Sequence, residues 1–298
     1  MTRRNFSYTS SVLAATSMMN LSQYANPATP QRYKMGYQLF SVNKDMNEDP
    51  IGTLVQLKAM GYEDFEIYGF DPTKVSYYDI PATDFKKKID DLGLTMTSGH
   101  YGFTDYLESS ESDLRHFIDQ CIAGAKAIQS PYITWPWLDP KYRNMKGFEI
   151  LVDKLNIIGK HVNQAGLGFA YHNHGFEFEN HDGSNGYDLI LSATDPELVK
   201  LQMDMYWVMH AGTTTPIELV QKHPNRYVMW HIKDMDVATR DYTELGNGSI
   251  NYLNILPDPV ESGLEYYYIE QGGNFSKSAL ASAAASGKYL KKHLTHLL

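Results

Sequence analysis

The second half of this chain carries titratable side chains at intervals that suit shared chemistry. "FAYHNHGFEF" supplies His172, His174 and Glu177, "LQMDMYWV" supplies Asp204, "VMWHIKDMD" supplies His231 and Lys233, and "YYYIEQGG" supplies Glu270. Glu177 and Asp204 are 27 residues apart, as are Asp204 and His231, and Glu270 follows after 39 more. An interval of that size holds one strand and one helix, so the four groups would project from consecutive strands into one mouth. Carboxylates with imidazole make a borderline-hard donor set suited to one divalent ion, Mn²⁺, Mg²⁺, Co²⁺ or Zn²⁺. Such an ion polarises a carbonyl or steadies an enediolate. Taken alone, Asp204 could equally pair with an arginine or backbone amides, and His231 could be a hydrogen-bonded core histidine. The series points to a metal, because four separate unpaired polar groups inside an apolar barrel would be costly.

Positioning such groups requires alternating strands and helices, and the chain has the pattern for it. Strand-like runs are expected at 34–40, 64–68, 95–100, 132–137, 168–174, 199–207, 227–233 and 266–270. Between them lie helical periodicities, the clearest being Phe148, Leu151, Val152, Leu155, Ile158 and Val162, with Gly166 placed to end the helix. Eight strand–helix pairs in this length predict a single (β/α)8 TIM barrel over residues 33–298, whose chemistry sits at the carboxyl ends of the strands. A doubly wound open sheet is the rival, but "GYQLFSVNKD" stands where a Gly-rich dinucleotide turn would follow the first strand.

Other residues fall where they could line the same mouth. Glu66 lies near the end of strand two, His100 ends strand three, and Trp135 and Trp137 close strand four. Glu66, His100 and Trp135 with His174 and Trp207 form the expected substrate-binding set, since sugar rings stack their apolar faces on aromatic side chains. Lys233 shares a strand face with His231 and could hold an oxyanion or a substrate oxygen; an ion pair with Glu66 or Asp204 is the competing role. The "LGNGSIN" segment at 245–251 could turn backbone amides toward an anion, yet it contains no Lys or Arg, and a phosphorylated substrate is not indicated. Cys121 is expected to be a buried core thiol.

These segments, together with "MDMYWVMHAG" and "ELGNGSINY", resemble the xylose-isomerase-like superfamily of sugar isomerases and epimerases. The resemblance is nearest to its inosose-dehydratase-like and "YHNH" sugar-phosphate isomerase/epimerase branch and is most specific between residues 168 and 271. It implies a barrel holding one divalent metal through Glu, Asp, His and Glu of strands five to eight, a small sugar substrate, and homo-oligomers, which are common in the superfamily. Asp204, His231 and Glu270 match the last three ligand positions. For the first, the family spacing lands on His172, while Glu177 is the nearby carboxylate that can reach back. The reading takes Glu177 as ligand, with His172 as base or fifth ligand; in the alternative His172 fills the ligand position and the base is a different group. Glu177, Glu270, His172 and Lys233 are then the candidate catalytic groups of an isomerase or epimerase that abstracts a proton beside a carbonyl. The same enolate could expel a β-hydroxyl or glycosyl group, which would make the protein a dehydratase or lyase. An exported sugar-binding protein without turnover is a third class.

Composition narrows the field. Of 298 residues 43% are apolar and 20% charged, which describes a folded globular chain, and a single cysteine excludes a disulfide scaffold. A net charge of −9 argues against nucleic acid as a partner, and no apolar run approaches the roughly 20 residues that span a bilayer. Residues 1–32 differ from the rest: Arg3 and Arg4 precede a moderately apolar stretch, and there is no acidic residue. That layout resembles a twin-arginine export signal and predicts a periplasmic or otherwise exported protein.

Overall fold

The computed structural model describes residues 33–298, so the expected export segment at 1–32 lies outside the described residues. Eight parallel strands close a barrel in sequential order: β1 Gly36–Gln38, β2 Asp64–Ile67, β3 Thr95–His100, β4 Tyr132–Trp135, β5 Gly168–His172, β6 Lys200–Asp204, β7 Met229–Ile232 and β8 Tyr266–Ile269. The strands are shorter than the sequence runs suggested. β4 stops at Trp135 and β6 at Asp204, after which Met205–Ala211 is helical and carries Trp207 with it. Two small antiparallel additions were not expected: a three-stranded one across residues 70–81, and one pairing Asp234–Met235 with Tyr242–Thr243.

The outer ring forms where the periodicity requires it. Helix Met145–Gln164 starts at Asn144, whose side chain accepts the Gly147 N–H, and buries Phe148, Leu151, Val152, Leu155, Ile158 and Val162. Helix Pro50–Met60 begins on Asp49 with proline at its first position and ends at Gly61, whose φ of 95° favours glycine. Most of the apolar core lies between this ring and the strands. No helix among the described residues is long and apolar enough to cross a membrane.

A second, smaller core fills the inside of the barrel. Tyr132, Ala170, Met229 and Tyr268 pack together there with Val228. Side chains alternate along a strand, so residues two places further on face the same interior one layer higher. Those residues are Thr134, His172, His231 and Glu270, and register places His231 beside Asp204. The fold thus lifts one polar layer to the strand ends.

Candidate metal centre

Each side chain of that layer arrives from its own strand. His172 ends β5, Asp204 ends β6, His231 lies in β7, and Glu270 immediately follows β8. Each offers one ligand atom, and the four atoms lie within 4.8 Å of one another. The Nε2 of His172 is 3.6 Å from Asp204 Oδ2, and His231 Nδ1 is 2.6 Å from Glu270 Oε2. Asp204 is held by the Asn173 side chain and by the start of the helix that follows it. Its N–H donates to Asn173 Oδ1 at 3.0 Å, and its Oδ1 accepts the Trp207 N–H at 3.2 Å, capping the helix that follows. The other oxygen, Oδ2, is left for the cluster.

Glu66 stands behind His231 as the hub of the barrel interior. Its Oε1 accepts from Ser98 Oγ and Gln202 Nε2, both at 2.6 Å. Its Oε2 accepts from Gln38 Nε2 at 2.9 Å and contacts His231 Nε2 at 2.6 Å and His100 Nε2 at 2.9 Å. Burial alone would push this carboxyl up, but His100 and His231 outweigh it and hold it well below the usual range. Glu66 therefore orients the His231 ring from behind, leaving Nδ1 for the cluster, an arrangement common to metal-bound histidines.

Lys233 brings a positive charge to the two carboxylates. Its Nζ lies 2.6 Å from Asp204 Oδ2 and 2.7 Å from Glu270 Oε2. Burial opposes its charge, and the two carboxylates more than compensate, raising it above the ordinary lysine value. Glu270 responds in the opposite sense: burial pushes it up, while Lys233 and His231 bring it well below the ordinary range. For His172 and His174, burial disfavours the charged form, and the cations around them add to this; His174 is lowered to about 3, so both rings are neutral.

The residues fit a divalent ion. Three buried atoms at the cluster, Asp204 Oδ2, His231 Nδ1 and Glu270 Oε2, make no well-directed hydrogen bond, and His172 turns its Nε2 toward them. The short ion-pair distances to Asp204 and Glu270 are thus charge contacts without aligned donors. Convergent lone pairs of two carboxylates and two imidazoles that do not satisfy one another are the donor set such an ion requires.

The structure does not bring Glu177 into this cluster. The chain leaves β5 at His172 and turns through a short 3-10 segment, Phe176–Phe178. Glu177 then points back under its own loop, accepting from Tyr171 OH and the His174 N–H, each at 2.8 Å. Burial raises its pKa to about 8. Of the two alternatives at strand five, His172 is the one placed with Asp204, His231 and Glu270.

Above the cluster opens a cavity of about 560 Å³, lined by His100, His172, His174, Lys233 and Glu270 below and by Phe40, Tyr68, Trp137 and Tyr242 around its mouth. Trp135 does not reach it. That ring is buried 5.5 Å from Phe103, and its indole N–H donates to Trp137 O at 2.7 Å. Trp207 lines a neighbouring hollow instead. The Gly-rich 245–251 segment makes no anion cradle, because the N–H groups of Gly246, Gly248 and Ile250 all donate to Asp234.

Sequence reasoning missed Gln38, Ser98 and Gln202 around Glu66, Asn173 against Asp204, and Tyr242 and Arg143 at the rim. One signal was present: Gln202 stands two places before Asp204 in an otherwise apolar strand, hence on the same face.

A parallel eight-stranded barrel with this polar layer at its strand ends defines a class, and the comparisons give it a family. The sequence profile of the xylose isomerase-like TIM barrel family matches residues 54–257, and the chain belongs to that family. An inosose dehydratase of Clostridium beijerinckii is 32% identical over 142 residues, covering 42% of this chain and 46% of the relative. The chain thus matches about half the length of its curated relatives. A crystal structure of a sugar phosphate isomerase/epimerase from Parabacteroides distasonis superposes with a TM-score of 0.75 at 26% identity, covering 88% of this chain and 99% of that one. A xylose isomerase-like protein from Mycobacterium smegmatis in complex with magnesium shares the fold at 16% identity and a TM-score of 0.63, covering 89% and 98%.

Proposed function

We propose that the protein is a divalent-metal-dependent isomerase or epimerase of a sugar or keto-sugar, working by proton transfer at a carbon beside a carbonyl. The observation that carries this reading is the convergence of His172, Asp204, His231 and Glu270 at the floor of a cavity, with Lys233 beside them. These four residues would hold the ion, which when bound supplies Lewis acidity toward a carbonyl oxygen. Glu270, kept ionised by its cationic neighbours, is the carboxylate placed at the cavity wall to take up a proton. The Lys233 ammonium, fixed on Asp204 and Glu270, stands where negative charge on a substrate oxygen would be stabilised. His172 and His174 present neutral rings to the same cavity and can exchange hydrogen bonds with hydroxyls. The buried Glu66 network keeps His231 in one orientation throughout.

A dehydratase or lyase outcome uses the same first step and is favoured by the partial match to inosose dehydratases. Lys233 would then assist departure of the β-oxygen. Both outcomes are tested in deuterated water with Mn²⁺, supplying D-fructose, D-tagatose, D-psicose and scyllo-inosose and following loss of the C–H signal by proton NMR. Exchange without loss of water marks an isomerase, and a dehydrated product marks the lyase. Elemental mass spectrometry should find about one ion per chain, lost in Asp204→Asn. No metal and no exchange with any of these sugars would sink the reading. Export rests on residues 1–32 and is tested by fractionating cells that express the full chain or Arg3→Lys/Arg4→Lys. Retention of the double variant in the cytoplasm is expected, and equal cytoplasmic retention of both overturns it.

A further inference from the structure

A second hollow of about 530 Å³ adjoins the cavity above the cluster, and both are bordered by Trp137, His174 and Tyr242. They are two lobes of one depression with those three side chains at its waist. Each lobe has the size of a complete small-molecule site. A single sugar seated over Glu270 and Lys233 leaves the outer lobe to solvent.

The outer lobe has walls suited to a ring. Trp207 and Tyr242 meet edge to face, with centroids 6.1 Å apart at 88°, and Trp137 leaves 41% of its surface open. Arg143 crosses the lobe's edge with its guanidinium carbon 3.9 Å from the Phe176 ring centre and 5.1 Å from that of Trp137. Its Nε–H donates to Leu138 O at 3.0 Å, while its two terminal nitrogens have no protein acceptor among the described residues. Stacking fixes the guanidinium, so its free donors are pre-organised for a ligand. Glu179 and His210 complete the polar rim. Aromatic faces with a few fixed polar groups match the apolar face and hydroxyl edge of a pyranose. A phosphoryl group is matched less well, because Arg143 is the lone cation lining the lobe and Glu179 stands in the same wall.

We infer that the outer lobe binds a second sugar ring, so that the substrate is a glycoside of two ring units, the reacting ring lying over Glu270 and its neighbour over Trp137 and Trp207. The assignment of the reacting ring to the inner lobe rests on the function proposed above; the outer site is tested by binding alone. Isothermal titration of the Mn²⁺-loaded full chain would compare D-glucose, cellobiose, maltose, trehalose and glucose 6-phosphate. At least one disaccharide should bind about tenfold more tightly than glucose. That ratio should fall toward one in Arg143→Ala and in Ala211→Trp, which fills the lobe from its wall. Circular dichroism of both variants confirms folding. Disaccharides no tighter than glucose overturn the inference, as does an Arg143-dependent gain for glucose 6-phosphate alone. If the disaccharide preference holds while no sugar exchanges a proton, the outer lobe stands and the isomerase reading falls.

Discussion

Glu177 and Glu270 are both buried glutamates near strand ends, yet their surroundings give them opposite properties. Glu270 follows β8 directly and meets Lys233 and His231, so its charged form prevails over burial. Glu177 sits beyond β5 on a turn, where burial outweighs the hydrogen bonds from a tyrosine hydroxyl and a backbone N–H and the charge of Arg143, so its pKa rises to about 8. Burial is common to both; the neighbouring cations decide the outcome. One glutamate stands at the cluster and the cavity wall, and the other braces the loop that carries His174.

The largest expected separation is in turnover. Glu270→Gln should lose about a thousandfold or more in kcat, roughly 4 kcal/mol of transition-state stabilisation, while Glu177→Gln should stay within about tenfold of the parent. Equal losses in steady-state assays would place both carboxylates in the reaction and break the contrast.

Removing the cation that distinguishes the two sites comes next. In Lys233→Met, Asp204 and Glu270 lose their compensating charge, and the metal-free chain should lose about 3 kcal/mol of stability. The variant should also bind Zn²⁺ or Mn²⁺ at least as tightly as the parent and gain a larger rise in Tm on loading. Chelator competition and thermal scans with and without metal check this. A variant that binds metal more weakly would instead make Lys233 an organiser of the ligands.

A smaller effect follows from the raised pKa of Glu177. Between its ordinary value of 4.5 and about 8, the unfolded carboxyl releases a proton that the folded chain retains. The unfolded state then binds fewer protons, so stability falls as pH rises through that window; below 4.5 the cost vanishes, and above about 8 it is complete. Glu177→Gln does not titrate, so its stability relative to the parent should improve by on the order of 4 kcal/mol from pH 4.5 to 8. Urea denaturation at the two pH values measures the difference, and a constant gap would mean that Glu177 is ionised in the fold. The smallest effect is expected at Ser98→Ala, which removes one of several donors to Glu66 and should cost about 1–2 kcal/mol in the same assay.

The scaffold was legible to a large degree. Short strand-like runs between helical stretches marked all eight barrel strands, and the Phe148–Val162 stripe marked the longest helix among the described residues. The site was legible only where a residue belongs to a strand or follows it directly. Asp204, His231 and Glu270 meet that condition, because the pleat of a strand already determines which way each points. Trp135 and Trp137 would share a face on a continuous strand; β4 stops between them, one ring sinks into the core and the other reaches the mouth. The donors around Glu66 come from β1, β3 and β6, and no local pattern in any one strand shows that they meet.

The sequence by itself determined the barrel, its strand-end chemistry and three members of the cluster, since hydrophobic periodicity is a local property and an interior polar residue breaks it visibly. Tertiary structure alone decided that His172 rather than Glu177 joins them, that Lys233 bridges Asp204 and Glu270, and that two cavities meet at His174. Those outcomes depend on turns taken after the strands end and on side chains brought together from positions as far apart as His172 and Glu270, 98 residues, beyond the reach of any local pattern.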